Sequence, residues 1–290
     1  MRENRRDKLV SALCVFLIML FALMCIFPFI YVITDSLEPY ADYLKNPAAL
    51  LPRHVTFAAY KQLLGFHLMA SGFQVTLFIT VVGTFLSLVL LMASAYPLSK
   101  SDLKGRNVIM ALVLFTMFFN GGLIPNYYLI RSLHMLNTVW ALILPGLLSA
   151  YNLIVVKTFI SSLPASLEEA AIIDGANEIV VLFKVILPLS MPVIATFAIF
   201  NAVGYWNMFF NAIIYTTDRN LWPLMLILRE LVVEDGTASV AQGMTDPAAI
   251  QNPYTLKMAA IIITTVPILC VYPFAQKYFT KGVMLGSVKG

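Results

Sequence analysis

Charge is scarce in this sequence. Asp, Glu, Lys and Arg make up 12% of its 290 residues, while 60% are hydrophobic. Soluble domains carry about 25% charged residues, so the composition excludes that class and describes a chain dissolved in lipid. Histidine is limited to His54, His67 and His134, with no H-E-x-x-H pair to hold a catalytic zinc. There is no G-x-S-x-G nucleophile elbow. The G-x-x-x-x-G-K-[ST] phosphate loop is also missing, which removes the usual means of binding and hydrolysing ATP. Cys14, Cys25 and Cys270 fall inside apolar runs and neither pair by spacing nor resemble metal ligands; they are expected to be packing residues. Acidic residues are nearly absent from the apolar runs, whereas ion-coupled carriers keep ionisable groups near the bilayer midplane. No catalytic residue, metal site or cofactor is expected in this chain. If it moves a solute, the energy comes from outside it.

What the sequence does have is length in its apolar runs. About 20 such residues cross a bilayer, and six runs qualify: Leu9–Ile33, Phe73–Pro97, Val108–Ile130, Val139–Phe159, Val193–Tyr215 and Leu256–Phe274. The first follows Arg2, Arg5, Arg6 and Lys8, as a signal peptide would. However, it outruns an h-region and no small-x-small cleavage site follows Pro28, so it is expected to stay as a span. Most of the 19 Lys and Arg residues fall on the side of the N-terminus, which predicts that both termini are cytoplasmic. On this reading residues 1–8, 161–192 and 276–290 are cytoplasmic, and 34–72 and 216–255 are outer loops. Within the last, Trp222–Val233 has helical apolar spacing and Glu234–Pro253 is polar and irregular. The net charge of +4 follows from basic loops and implies no nucleic-acid partner.

One segment breaks the pattern. Between Pro164 and Pro192 the chain places Glu168, Glu169, Asp174, Glu178 and Lys184 beside its spans. Ser166 and Glu169 have the spacing of a capping box. Glu168 and Asp174 are read as complementing the helix dipole, and Gly175 suits a helix C-terminus. This predicts a short, well-stopped helix standing proud of the membrane, suited to docking. Pro188 and Pro192 then bracket the return into the bilayer.

Polar groups within the spans are mostly neutral. Asn120, Asn152, Asn207 and Asn211, with Tyr151, Tyr205 and Trp206, combine amides with aromatic faces and suit a polyhydroxylated solute. The same residue types also join helices or sit in interfacial belts, so both roles stay open.

The insert reads Glu169-Ala170-Ala171, three residues, Gly175, nine residues, then Val185-Ile186-Leu187-Pro188. This resembles the EAA loop of bacterial ATP-binding-cassette importer permeases, with Val185 as a conservative departure. Pro164 to Glu168, Gly204-Tyr205-Trp206-Asn207 and the stretch from Gln276 to Gly290 are similar to the MalG-type branch of sugar permeases. Trp222-Pro223-Leu224 and Leu228-Arg229-Glu230 are similar to its LplC-type subgroup, associated with oligosaccharides. The resemblance implies an all-α polytopic membrane protein with six transmembrane helices, a type I importer permease in a bacterial cell membrane. It implies a second permease subunit as heterodimeric partner, two P-loop ATPase subunits carrying ATP and Mg, and an extracytoplasmic solute-binding protein. It also implies ATPase docking through Ser166, Glu168, Glu169, Ala170, Ala171, Asp174, Gly175, Leu187 and Pro188. Docking and capping compete for the Glu169 carboxylate, and docking is favoured. The alternatives are an importer of another small polar solute, a polytopic membrane enzyme and a secondary transporter.

Overall fold

The computed structural model describes residues 5–47, 49–233 and 253–287, and every regular element among them is helical. The stretch 234–252, expected to be irregular, and the last residues, 288–290, lie outside the described residues. The chain divides into two compact units, Met1–Met69 with Leu228–Val266 and Ala70–Ile227 with Pro267–Gly290.

In the first unit α1 (Arg5–Leu37) is apolar on every side, and its most apolar window is wholly unburied. A helix hydrophobic all round belongs in lipid or against another membrane helix. Cys14 and Cys25 project from it and are exposed and unpaired, as is Cys270. None of the three, expected to be packing residues, packs inside this chain. The end of α1 is held by polar contacts to the segment that follows. Thr34 Oγ1 donates to the Leu50 carbonyl at 2.9 Å, and the Tyr31 hydroxyl donates to the Pro47 carbonyl at 2.7 Å. The Tyr254 hydroxyl donates to Asp35 Oδ2 at 2.8 Å, while the Tyr254 ring stacks on Tyr43 with centroids 4.4 Å apart. Two short helices, α2 (Tyr40–Lys45) and α3 (Ala58–Leu64), complete this segment.

The second unit is built around α4 (His67–Ser99). It also holds α5 (Arg106–Phe118), α6 (Leu123–Ser132), α7 (Trp140–Ile143), α8 (Ala150–Ser161), α9 (Ala165–Ile173), α10 (Glu178–Val181), α11 (Leu187–Trp206) and α12 (Phe210–Tyr215). Two further helices, α13 (Leu224–Val233) and α14 (Pro253–Ser287), begin in one unit and end in the other. The helical spacing at Trp222–Val233 folds as α13, entered through a 3-10 turn at Arg219–Leu221 that Asp218 caps by accepting the Asn220 N–H at 2.9 Å.

Among the described residues four helices are long and apolar enough to span a membrane, Leu9–Leu37, His67–Ser99, Glu178–Trp206 and Tyr254–Val271. Two bent pairs bring the number up to six where each pair is counted as one span. The run expected at Val108–Ile130 is broken by 117° between α5 and α6. There Gly122 takes φ +86°, and Asn120 Oδ1 accepts its N–H at 2.9 Å. The run expected at Val139–Phe159 bends by 50° between Gly146 and Ala150, just after a 3-10 turn at Leu144–Gly146 that holds Pro145. The fifth span is displaced from the expected Val193–Tyr215. Its helix starts at Glu178 and stops at Trp206, and Phe210–Tyr215 is a separate short helix. Glu178 and Lys184 hid that start, because charge interrupts an apolar run without interrupting the backbone. At the other end α14 continues past Phe274 through the segment read as a tail, as far as Ser287.

Between helices in lipid, close packing replaces the hydrophobic effect as the source of stability. The main core joins Leu91, Ala95 and Tyr96 of α4, Leu153 and Val156 of α8, and Val181, Ile186 and Phe197 from the α10–α11 segment. A smaller one joins Ile79, Leu142, Ile143, Ala212 and Leu226.

Candidate docking surface and polar turn

The helix α9 starts differently from the capping-box expectation. Its N-cap is Pro164, at φ −60° and ψ 125°, and no side chain caps it. The Pro164 carbonyl accepts the Leu167 N–H at 3.2 Å, which places Ser166 inside the first turn and leaves Glu169 no cap to close. Asp174 is the C-cap, at the negative end of the dipole, so it does not complement that dipole as expected. The stop behaves as predicted. Gly175 has φ +86°, its N–H bonds the Ile172 carbonyl at 2.9 Å, and the Ala176 N–H reaches back to Ala171 at 3.0 Å. That is a Schellman motif. Nothing lies within 4 Å of where a Gly175 Cβ would stand, so the glycine is there for its backbone angle alone.

Helical periodicity then divides α9 into two faces. Glu168 and Ala171 turn inward, and Ala171 packs on the main core. Glu169, Ile172 and Ile173 turn outward, Ile173 being 84% exposed. Ala170 is exposed as well. Beyond the Gly175 turn, Asn177 caps α10 by accepting the Val180 N–H at 2.9 Å, a cap the sequence reading missed. Ile179 and Phe183 extend the apolar exposure, at 67% and 61%. This exposed surface carries two carboxylates, Glu169 on the helix and Asp174 at its C-cap, and Glu169 makes no ion pair among the described residues.

The inward face meets the end of α4. Lys100 pairs with Glu168 and stands 3.6 Å from Glu178 Oε2, while the Tyr96 hydroxyl donates to the same Glu178 oxygen at 2.5 Å. The Lys100 ammonium also lies 4.7 Å from the centre of the Tyr96 ring. Burial acts to lower the Lys100 pKa, but the bonds to Glu168 and Tyr96 outweigh it and hold the ammonium above the ordinary lysine value. Lys100 and Tyr96 escaped the sequence reading, since Lys100 counts there only as one more basic loop residue.

From α10 the helix runs on without a loop. Pro188 has no N–H for the Lys184 carbonyl, and the backbone answers with a π turn over Leu182–Ile186, closed by the Leu187 N–H on the Leu182 carbonyl. Ile186 is buried, Val185 and Leu187 pack beside it, and Pro188 is exposed.

The residues proposed for the solute path are brought together only in part. Trp206, Asn207 and Asn211 surround the break between α11 and α12; Asn207 is the α11 C-cap and is exposed. Trp206 is buried edge-on against Phe73, at 6.1 Å between centroids. It also lines an apolar cleft of about 620 Å³ with Leu77, Ala202 and Val271. Tyr205 points into the protein, its hydroxyl donating to the Ile143 carbonyl at 3.2 Å and lying 3.3 Å from Ser87 Oγ. Tyr151 is exposed and Asn152 half-buried at the start of α8. Asn120 is exposed at the α5–α6 bend, and no hydrogen bond joins it to Asn207 or Asn211. Among the described residues no three His, Cys, Asp or Glu side chains are grouped to hold a metal ion.

Comparison with known proteins agrees with this arrangement. A family model described as "Binding-protein-dependent transport system inner membrane component" matches residues 1–285. The chain is 42% identical to the polygalacturonan/rhamnogalacturonan transport system permease protein YtcP of Bacillus subtilis, covering 98% of this chain and 100% of that one. It is 46% identical to Protein LplC of the same organism, covering 91% and 90%. Its fold matches a chain in the crystal structure of a bacterial ABC transporter that imports the acidic polysaccharide alginate, with a TM-score of 0.87, 31% identity and coverage of 96% and 99%. A helical bundle of membrane-spanning length, an EAA sequence that folds as an exposed helix with a glycine stop, and these likenesses lead to one conclusion: the chain belongs to the binding-protein-dependent transport system inner membrane components, the permease subunits of ATP-binding-cassette importers.

Proposed function

We infer that the outward face of α9, with the Gly175 turn, is where a separate ATPase docks, and that the cargo is an oligosaccharide. The observation that carries the docking is the division of two adjacent carboxylates. Glu168 is held inside by Lys100, while Glu169 stands exposed beside Ile172 and Ile173. An exposed apolar patch edged by the acidic Glu169 and Asp174 fits a basic group in a protein groove better than it fits water. On this reading α9 and both termini face the cytoplasm, a second permease completes the pathway, and a binding protein delivers solute from outside. ATP and Mg belong to the ATPase. The names of the relatives, which refer to polygalacturonan, rhamnogalacturonan and alginate, support a carbohydrate cargo. The exposed amides of Asn207 and Asn120 and the ring of Tyr151 are the groups left to meet it.

Purification of the complex with Glu169→Lys tests the docking. The ATPase is expected to dissociate and uptake to be lost, and a charge-reversed ATPase groove is expected to restore both. Retention of the ATPase with normal uptake overturns it. The cargo is read by titrating the partner binding protein with neutral and uronic-acid oligosaccharides.

A further inference from the structure

We propose that Lys100 is the residue through which movement of the docking helix reaches α4, a positioning residue for transport that touches neither ATPase nor solute. The inference rests on the docking reading above. Its basis is a junction of three elements. Lys100 follows α4 directly, Glu168 lies on the inward face of α9, and Glu178 opens the helix that continues into α11. The ammonium bonds Glu168 and lies 3.6 Å from Glu178, which is also fixed by the Tyr96 hydroxyl at 2.5 Å. Tyr96 is itself buried in the main core, so the polar junction is anchored in packed helices.

The side chains of Lys100 and Glu168 are 23% and 22% exposed. A pair so shielded resists screening, and removing one partner leaves the other charge in a poor environment. The geometry also assigns different jobs to neighbouring acids. Glu169 meets the partner, Glu168 holds α9 to Lys100, and Glu178, beyond the Gly175 turn, holds the start of α10 to the same ammonium. With α9 and α10 both tied to one ammonium at the end of α4, a shift of α9 is passed to that end. If Lys100 were neutral, α9 would keep its exposed face and its glycine stop but lose this connection.

The test uses the full complex in proteoliposomes, comparing solute taken up per ATP hydrolysed. Lys100→Met is expected to retain the ATPase and hydrolyse ATP while this ratio falls about tenfold, a typical size for a coupling between sites. Lys100→Arg is expected to keep most of the ratio. The exchange Lys100→Glu with Glu168→Lys, combined with Glu178→Gln to remove the like charge beside position 100, is expected to recover part of what Lys100→Met loses. An unchanged ratio in Lys100→Met overturns the proposal. So does dissociation of the ATPase from that variant, because Lys100 would then belong to the docking surface itself. Failure of the docking reading is seen separately, as ATPase retention and normal uptake in Glu169→Lys.

Discussion

The ring of Tyr205 lies where a Cβ on Gly83 would have to stand. Ring atoms are 2.6–2.9 Å from that point, so α4 can meet α11 at this distance only with glycine at position 83. The Tyr205 hydroxyl then reaches the Ile143 carbonyl just before the 3-10 turn that holds Pro145. Gly83→Ala is expected to lower the thermal stability of the solubilised permease by about 1–3 kcal/mol, the usual cost of overpacking. Adding Tyr205→Leu should return part of it, since residues in contact do not act additively. A Gly83→Ala protein that melts like the parent, measured by size exclusion after heating, would show that the helices can move apart freely.

The Gly175 turn separates backbone need from space. With φ +86° and open surroundings, Gly175→Ala is expected to cost about 1–2 kcal/mol through left-handed strain. Gly175→Asn should be milder, as Asn is the other residue tolerated there. ATP-driven uptake is therefore expected in the order Gly, Asn, Ala. Equal uptake by the Asn and Ala variants would remove the backbone angle as the reason for this glycine.

Asn137 ties the loop after α6 to the loop after α12. Its backbone has φ +57°, its Oδ1 accepts the Thr217 N–H at 2.6 Å, and its Nδ2 donates to Thr217 Oγ1 at 2.9 Å. Asn137→Gly keeps the backbone angle and loses only the side-chain bonds, each worth about 0.5–1.5 kcal/mol. Asn137→Ala loses both. Limited proteolysis around Thr217 should be faster in Ala than in Gly, and faster in Gly than in the parent; identical cleavage in all three would contradict the tie.

A pH effect is expected from Asp42. His54 Nδ1 at 2.7 Å, then Lys45 at 3.2 Å, hold this carboxyl below its ordinary value of 3.8. A depressed carboxyl pKa stabilises the folded form above the unfolded value, and that contribution disappears as pH falls through the lower folded value. The melting temperature of the parent should therefore drop more steeply below about pH 4 than that of Asp42→Asn. Parallel curves would mean that the cluster contributes nothing to stability.

Much of this was legible in advance, for separate physical reasons. Apolar runs mark lipid contact, so each of the six expected runs falls on a long helix or a bent helix pair, and a glycine after an apolar-periodic segment marked the α9 stop at Gly175. Their bounds were less legible. Glu178 and Lys184 read as a loop because charge lowers hydropathy, yet the backbone passes through both in helical form. The Ser166 to Glu169 spacing fits a capping box, but Pro164 caps the helix two residues earlier, and local spacing cannot show that competition. Tyr205 read as a solute residue because aromatic rings in spans serve both purposes; only Gly83, distant in sequence, decides that it packs inward. Lys100 stayed invisible for the same reason, its partner Glu168 being 68 residues away.

The π turn at Leu182–Ile186 has one further result. It holds one residue more than an α-helical segment of the same rise, and one residue corresponds to about 100° of rotation. The number of residues between Gly175 and Pro188 is thus a phase setting, fixing which side of α11 follows which side of α10. Side chains along that stretch are free to vary within their polarity. Removing a single residue would instead turn Glu178 away from Lys100, or Ile194 and Phe197 away from the core, and no loop lies between them to absorb the error.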